Sequence, residues 1–218
     1  MKNGLIICFL VASVWGCSKK SEKRMNPEIE LPYYSDAIFT PEWISPEDTK
    51  YDSIHTIADF SFVDQNGDMI TNQTFENKIY VTNFFFTLCP NVCPRMTKNL
   101  KKIQKEFASD ESVKILSHTV MPWVDSVDRL AEYASLNDID VSQWSLVTGD
   151  KKYLYQMARE SYFADEGFGK TVTTDEDFLH TENIILVDTK RRIRGIYNGT
   201  LPLEMKRMIE DIYTLKKE

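Results

Sequence analysis

The sequence predicts an α/β fold, a mixed central sheet flanked by helices. Three observations lead there. Two stretches, "KIYVTNFFF" and "VKILSHTV", are near-continuous apolar runs rich in β-branched and aromatic residues, the pattern of strands buried on both faces. Segments with helical spacing alternate with these runs. Near the end, "ENIILVDTKRRIRGIYNG" reads as strand, turn and strand, with a helical segment after it.

In chain order, "IADFSFVDQNGDMI" alternates apolar and polar residues around the turn signal "DQNGD", which predicts a hairpin. After the first buried strand, "RMTKNLKKIQKEF" places Met96, Leu100, Ile103 and Phe107 at helical spacing. The second buried strand follows. Then "SVDRLAEYASL" and "KKYLYQMARESYF" read as helices. The last segment carries Met205, Met208, Ile209, Ile212 and Leu215 on one helical face. Methionines on these faces are read as core residues and not as metal ligands.

The N-terminus is a different kind of sequence. Lys2 precedes the apolar "GLIICFLVASVWG", which ends at Cys17 and the polar "SKKSEKR". A basic start, a short apolar run and small residues at the boundary are the layout of an export signal over residues 1–16. The run is short for a membrane span. "VWGC" resembles a lipobox, in which Cys17 is lipidated after cleavage; an uncleaved anchor is the alternative. Residues 17–50 hold many charges and four prolines (Pro27, Pro32, Pro41 and Pro46). They are read as a tether, packed in part around "LPYYSDAIFTPEW", leaving 51–218 as the folded domain. Both readings place that domain outside the cytoplasm, anchored to a membrane and facing the periplasm or cell exterior.

The 218 residues are 42% hydrophobic and 27% charged, a globular composition, and the formal charge of −7 offers no footprint for nucleic acid. Of four cysteines, Cys8 leaves with the signal and Cys17 carries lipid, so the exported domain keeps Cys89 and Cys93 in "TLCPNVCPRM". A lone pair in an exported protein suggests a disulfide. The loop it closes is too small to stabilise much, so the pair is read as functional.

The pair falls where a buried strand hands over to a helix, and helix N-termini favour thiolates. Disulfide exchange and metal ligation both need that form. Thioredoxin-type oxidoreductases use C-x-x-C; here the spacing is C-x-x-x-C, so the two thiols would lie one above the other on a helix face. Soft thiolates select copper(I), zinc or iron–sulfur over hard ions, and two ligands call for a third. Of the three histidines, His55 is read as a turn or surface residue. His118, at a strand end, either supports the site or is simply packed. His180, in "DEDFLHTENIILVD", precedes the late strand pair and is the expected third ligand. Met121 is read as packing and not as a thioether ligand.

"FFFTLCPNVCPRMTKNL", His180 before "IILVD" and the export signal together resemble the Sco/SenC family of membrane-tethered copper proteins. The likeness runs from about His55 to Leu215. It implies a thioredoxin-like fold binding one copper through Cys89, Cys93 and His180, as copper(I), with copper(II) also accommodated. It further implies a role in assembling the copper centre of cytochrome c oxidase, with subunit II or another copper-site protein as partner. The expected function is therefore a metallochaperone and not an enzyme. A thiol–disulfide reductase, with Cys89 and Cys93 as its redox pair, is the alternative. One departure concerns the aspartate before proline after the second core strand, where this chain has Met121-Pro122 and the next acid is Asp125. The segment "YFADEGFGKTVTTDEDFLH" is read as a mobile loop carrying His180.

Overall fold

In the computed structural model, residues 30–164 and 181–218 are described. The strands are β1 (Tyr33–Tyr34), β2 (Pro41–Glu42), β3 (Ser61–Asp64), β4 (Met69–Thr71), β5 (Ile79–Phe85), β6 (Val113–Thr119), β7 (Trp144–Thr148), β8 (Asn183–Val187) and β9 (Ile193–Asn198). The helices are α1 (Val92–Glu106), α2 (Val127–Leu136), α3 (Lys151–Gln156) and α4 (Pro202–Leu215). They build one mixed sheet in the order β2-β1-β9-β8-β5-β6-β7-β3-β4. The centre, β5-β6-β7, is parallel, and β8 joins β5 antiparallel.

Period-two alternation sends the residues of β5 to two cores. Ile79, Val81 and Phe85 join Met96, Leu100 and Ile103 of α1, Leu130 of α2 and Met205, Met208 and Ile212 of α4 on one face. Tyr80 and Phe84 turn to the other, against Phe60, Phe62, Leu154 and Tyr162. A strand buried on both sides is apolar nearly throughout, which is why "KIYVTNFFF" carries no polar alternation and only Thr82 and Asn83 as buried polar residues. Its one amide is satisfied: Ser117 Oγ donates to Asn83 Oδ1 at 2.5 Å, and Trp144 Nε1 donates to Ser117 Oγ at 2.8 Å.

The expected hairpin is β3–β4, with Gly67 at φ +83° in its turn. The helices start where the chemistry allows. Ser126 and Asp150 accept from the backbone N–H groups of Arg129 and Tyr153, and Pro202 occupies the first turn of α4. Strand β7 was not anticipated, because "QWSLVT" is short and its polar Ser145 and Thr148 break the apolar run.

Packing begins inside the stretch read as tether. Leu31 and Tyr33 are buried, and β1 pairs with β9 through Tyr34 and Ile193. Arg194 is the fastener. Its guanidinium donates to the carbonyls of Leu31 and Pro32, binds Glu218 with both ends at 2.6 and 2.9 Å, and stacks on Tyr33. Composition alone counts prolines and charges and does not see such a partner.

Candidate metal centre

Cys89 and Cys93 lie at the C-terminal edge of β5, on the turn into α1. Both are free thiols. The expectation that they stack on one helix face is corrected by the structure: α1 begins at Val92, so Cys89 precedes the helix and only Cys93 is in it. Asn91 makes no side-chain cap, and the Cys93 N–H instead donates to Cys89 Sγ at 3.3 Å. A sulfur therefore takes the place of the usual capping oxygen. Pro94 sits in the first turn, where a missing N–H does no harm, so it does not distort the helix.

This arrangement separates the two thiols electrostatically. Partial burial raises the Cys89 pKa, but the N–H groups of Cys93, Asn91 and Val92 and the Cys93 thiol outweigh it, and the net shift is downward. Cys93 is buried; burial, assisted by the neighbouring Cys89, pushes its pKa up to about 12. Backbone N–H groups act on both thiols, but they prevail over burial only at Cys89. We expect iodoacetamide to alkylate Cys89 first, at least about tenfold faster than Cys93; equal labelling by mass spectrometry would refute the asymmetry.

The thiols open into a cavity of about 400 Å³ lined by Phe84, Phe85, Phe86, Pro90, Val120, Thr181 and Glu182, among others. Beneath the cysteine turn is a buried polar knot that the sequence did not reveal. Asp125 is fully buried; the Thr87 hydroxyl donates to its Oδ1 at 2.6 Å and the Thr119 hydroxyl to its Oδ2 at 2.5 Å. The Thr87 N–H adds a longer contact at 3.3 Å, and Arg129 Nε donates to Thr87 Oγ1 at 3.2 Å. This knot ties the loop after β6 to the residue two positions before Cys89. Asp125 is thus a structural anchor for the turn. Tyr133 completes the surroundings: its hydroxyl bonds Thr97 at 2.8 Å, and burial, with the nearby thiols and Asp125, raises its pKa.

The other candidates separate clearly. His180 and Cys17 lie outside the described residues, as do Cys8 and most of the loop from 162 to 180. Among the described residues, no group of three or more His, Cys, Asp or Glu side chains could hold a metal ion. His118 does not reach the cysteine rim. It is paired with Phe84 in the sheet and points into the opposite core, fully buried among the rings of Phe60, Phe62, Phe84 and Tyr162. An alternation of two along β6 decides that, so of the two sequence readings it is the packed one that holds. His55 is a tie in the outer packing, with Nε2 at 2.8 Å from the Ser161 carbonyl. Met121 packs against the second core, as expected.

Known proteins give this geometry a context. The profile described as SCO1/SenC matches residues 48–217. A SCO1 protein homolog of Bacillus subtilis (strain 168) is 24% identical over 162 residues, covering 72% of this chain and 81% of the relative. Among solved structures, a SCO1/SenC family lipoprotein from Bacillus anthracis str. Ames superposes with TM-score 0.65 at 24% identity, covering 74% of this chain and 95% of that one. Bradyrhizobium japonicum ScoI, solved with copper bound, gives TM-score 0.55 at 25% identity, covering 70% and 98%. These superpositions make the fold thioredoxin-like, and a match over that span of the chain settles its kinship: the chain belongs to the SCO1/SenC family.

Proposed function

We propose that the protein is a membrane-tethered copper metallochaperone that carries one copper on Cys89, Cys93 and His180. The observation that carries this reading is the cavity at the cysteines: Thr181 and Glu182 line it, and His180 immediately precedes Thr181 in the sequence. An imidazole as the third donor would complete a soft, thiolate-rich set. Two sulfurs and one nitrogen suit copper(I). Relatives solved with copper bound support the choice of metal.

Copper here is cargo. The protein residues divide the work: Cys93 is the shielded ligand, Cys89 the accessible one, and the Asp125 knot fixes the chain just before Cys89 through Thr87. A carrier needs one ligand that stays and others that an acceptor can replace, and this asymmetry supplies it. We assign the cargo to assembly of cytochrome c oxidase, with the copper centre of subunit II or another copper-site protein as acceptor. A solved relative, BsSco, is a member of the Sco family of cytochrome c oxidase assembly proteins. Anchoring through lipid on Cys17, facing the periplasm or cell exterior, belongs to the same proposal. It is supported by the lipoprotein relative.

The test is a copper(I) titration of the reduced protein against a competing chelator, beside His180→Ala. We expect one tightly held copper per chain, with affinity at least about tenfold weaker in the variant and the Cys89–Cys93 disulfide still able to form. Equal affinity would remove His180 from the ligand set. A second reading, thiol–disulfide reductase, is favoured by the same pKa split: Cys89 is poised to attack a disulfide and Cys93 is held protonated behind it. Weak copper binding indifferent to His180 would make that the leading function.

A further inference from the structure

The solvent face of α1 is basic along its length. Arg95, Lys98, Lys102 and Lys105 follow one another at spacings of three, four and three, and all four are exposed, so they form a single stripe. Among the described residues, Arg95, Lys98 and Lys105 take part in no ion pair, and Lys102 Nζ rests on Asn99 Oδ1 at 2.9 Å. The one acid of the helix, Glu106, already accepts from the Tyr213 hydroxyl.

Helix stability does not account for this stripe. Cations in the first turns oppose the helix dipole, and Glu106 stands four residues from Lys102 alone, in the weaker Lys-before-Glu order and already bonded to Tyr213. Nor does the overall charge, which is −7. The other basic cluster, on the β8–β9 turn at the far end of the sheet, is engaged internally. Arg191 pairs with Asp59, Lys190 and Arg192 donate to Tyr51, and Arg194 holds Asp188 and Glu218.

The stripe begins beside the cysteines, where the surface turns apolar. Leu88 and Trp123 are 54% and 57% exposed, and the loop of Trp123 is held to the cysteine turn by the Asp125–Thr87 bonds. An apolar centre with a charged flank is the anatomy of a protein interface, and exposed tryptophan is its commonest anchor.

We infer that Leu88, Trp123 and the α1 stripe form the docking face for an acidic partner protein, which they orient so that its own metal ligands meet Cys89. The inference rests on the copper-delivery reading and names the kind of surface the acceptor must have. Opposite charge steers encounter and sets register, while the apolar centre holds the complex.

The experiment follows association of the full protein with a soluble, negatively charged copper-binding domain of a cytochrome c oxidase subunit II, by stopped flow at low salt and at about 0.2 M salt. Copper transfer is read separately. Lys98→Glu/Lys102→Glu is compared with wild type and with a double reversal at the far end of the sheet, Lys50→Glu/Lys190→Glu, two exposed lysines on either side of Tyr51. We expect association to slow about tenfold in the stripe variant at low salt and about tenfold in wild type on adding salt. The remote variant should stay near wild type, and copper(I) affinity should be unchanged throughout. Equal association by wild type and stripe variant overturns the docking face whether or not copper moves, as does equal slowing by both variants. Salt-sensitive association that the stripe variant loses, without copper transfer, upholds the face and overturns delivery.

Discussion

His118→Leu should leave the protein at least as stable at neutral pH and remove most of its sensitivity to mild acid. Both ring nitrogens of His118 are buried with no hydrogen-bond partner, and aromatic rings surround them. Burial holds the imidazole pKa down at about 3, against an ordinary value of 6.5. Below pH 6.5 the unfolded chain takes up a proton that the folded chain refuses, so stability falls as pH drops and levels off near pH 3. At about 1.4 kcal/mol per pH unit, the loss across that window is on the order of 5 kcal/mol. Leucine has similar volume and nothing to protonate. Denaturant unfolding of both proteins between pH 7 and pH 3.5 should give curves that diverge steadily; parallel curves would mean that the ring reaches solvent.

The second large effect concerns Asp125→Ala, which should lower stability by about 3–5 kcal/mol. Removing the carboxylate strands the Thr87 and Thr119 hydroxyls in a buried site and leaves the Thr87 N–H without its acceptor. Orphaned buried donors cost about 1–3 kcal/mol each, and Arg129 also loses the geometry of its partner. Asp125→Asn keeps one acceptor oxygen and should lose roughly half as much. The turn to Cys89 is then no longer pinned, so alkylation should become less selective between the two thiols. Wild-type stability in Asp125→Ala would show that ordered water replaces the carboxylate.

These two residues also show what the sequence hides. The long strands and helices were legible because apolar periodicity is a local signal: β5, β6, α1 and α4 each announce themselves. The cysteine pair was legible through its spacing and neighbours. For His118 two readings stayed open, because facing is decided by register, and one position along β6 separates the cysteine core from the opposite one. Asp125 was visible only as the next acid after Met121-Pro122, since its partners Thr87 and Thr119 come from two other segments. Net charge concealed the α1 stripe in the same way, by averaging it with acids elsewhere on the chain. Strand β7 escaped because polar Ser145 and Thr148 interrupt its short apolar run.

The Arg194 fastener has a practical consequence. It gathers Leu31, Pro32 and Glu218, the two extremities of the described chain, beside the first residue of β5, whereas Cys89 follows the last. Seven residues of strand at about 3.3 Å each separate the two ends by some 23 Å. A dye, purification handle or surface linker added at residue 218 would therefore sit on the underside of the molecule and leave the thiol mouth facing outward. The protein is pre-oriented for immobilisation, and a sensor built that way would present every thiol pair to the solution in the same direction.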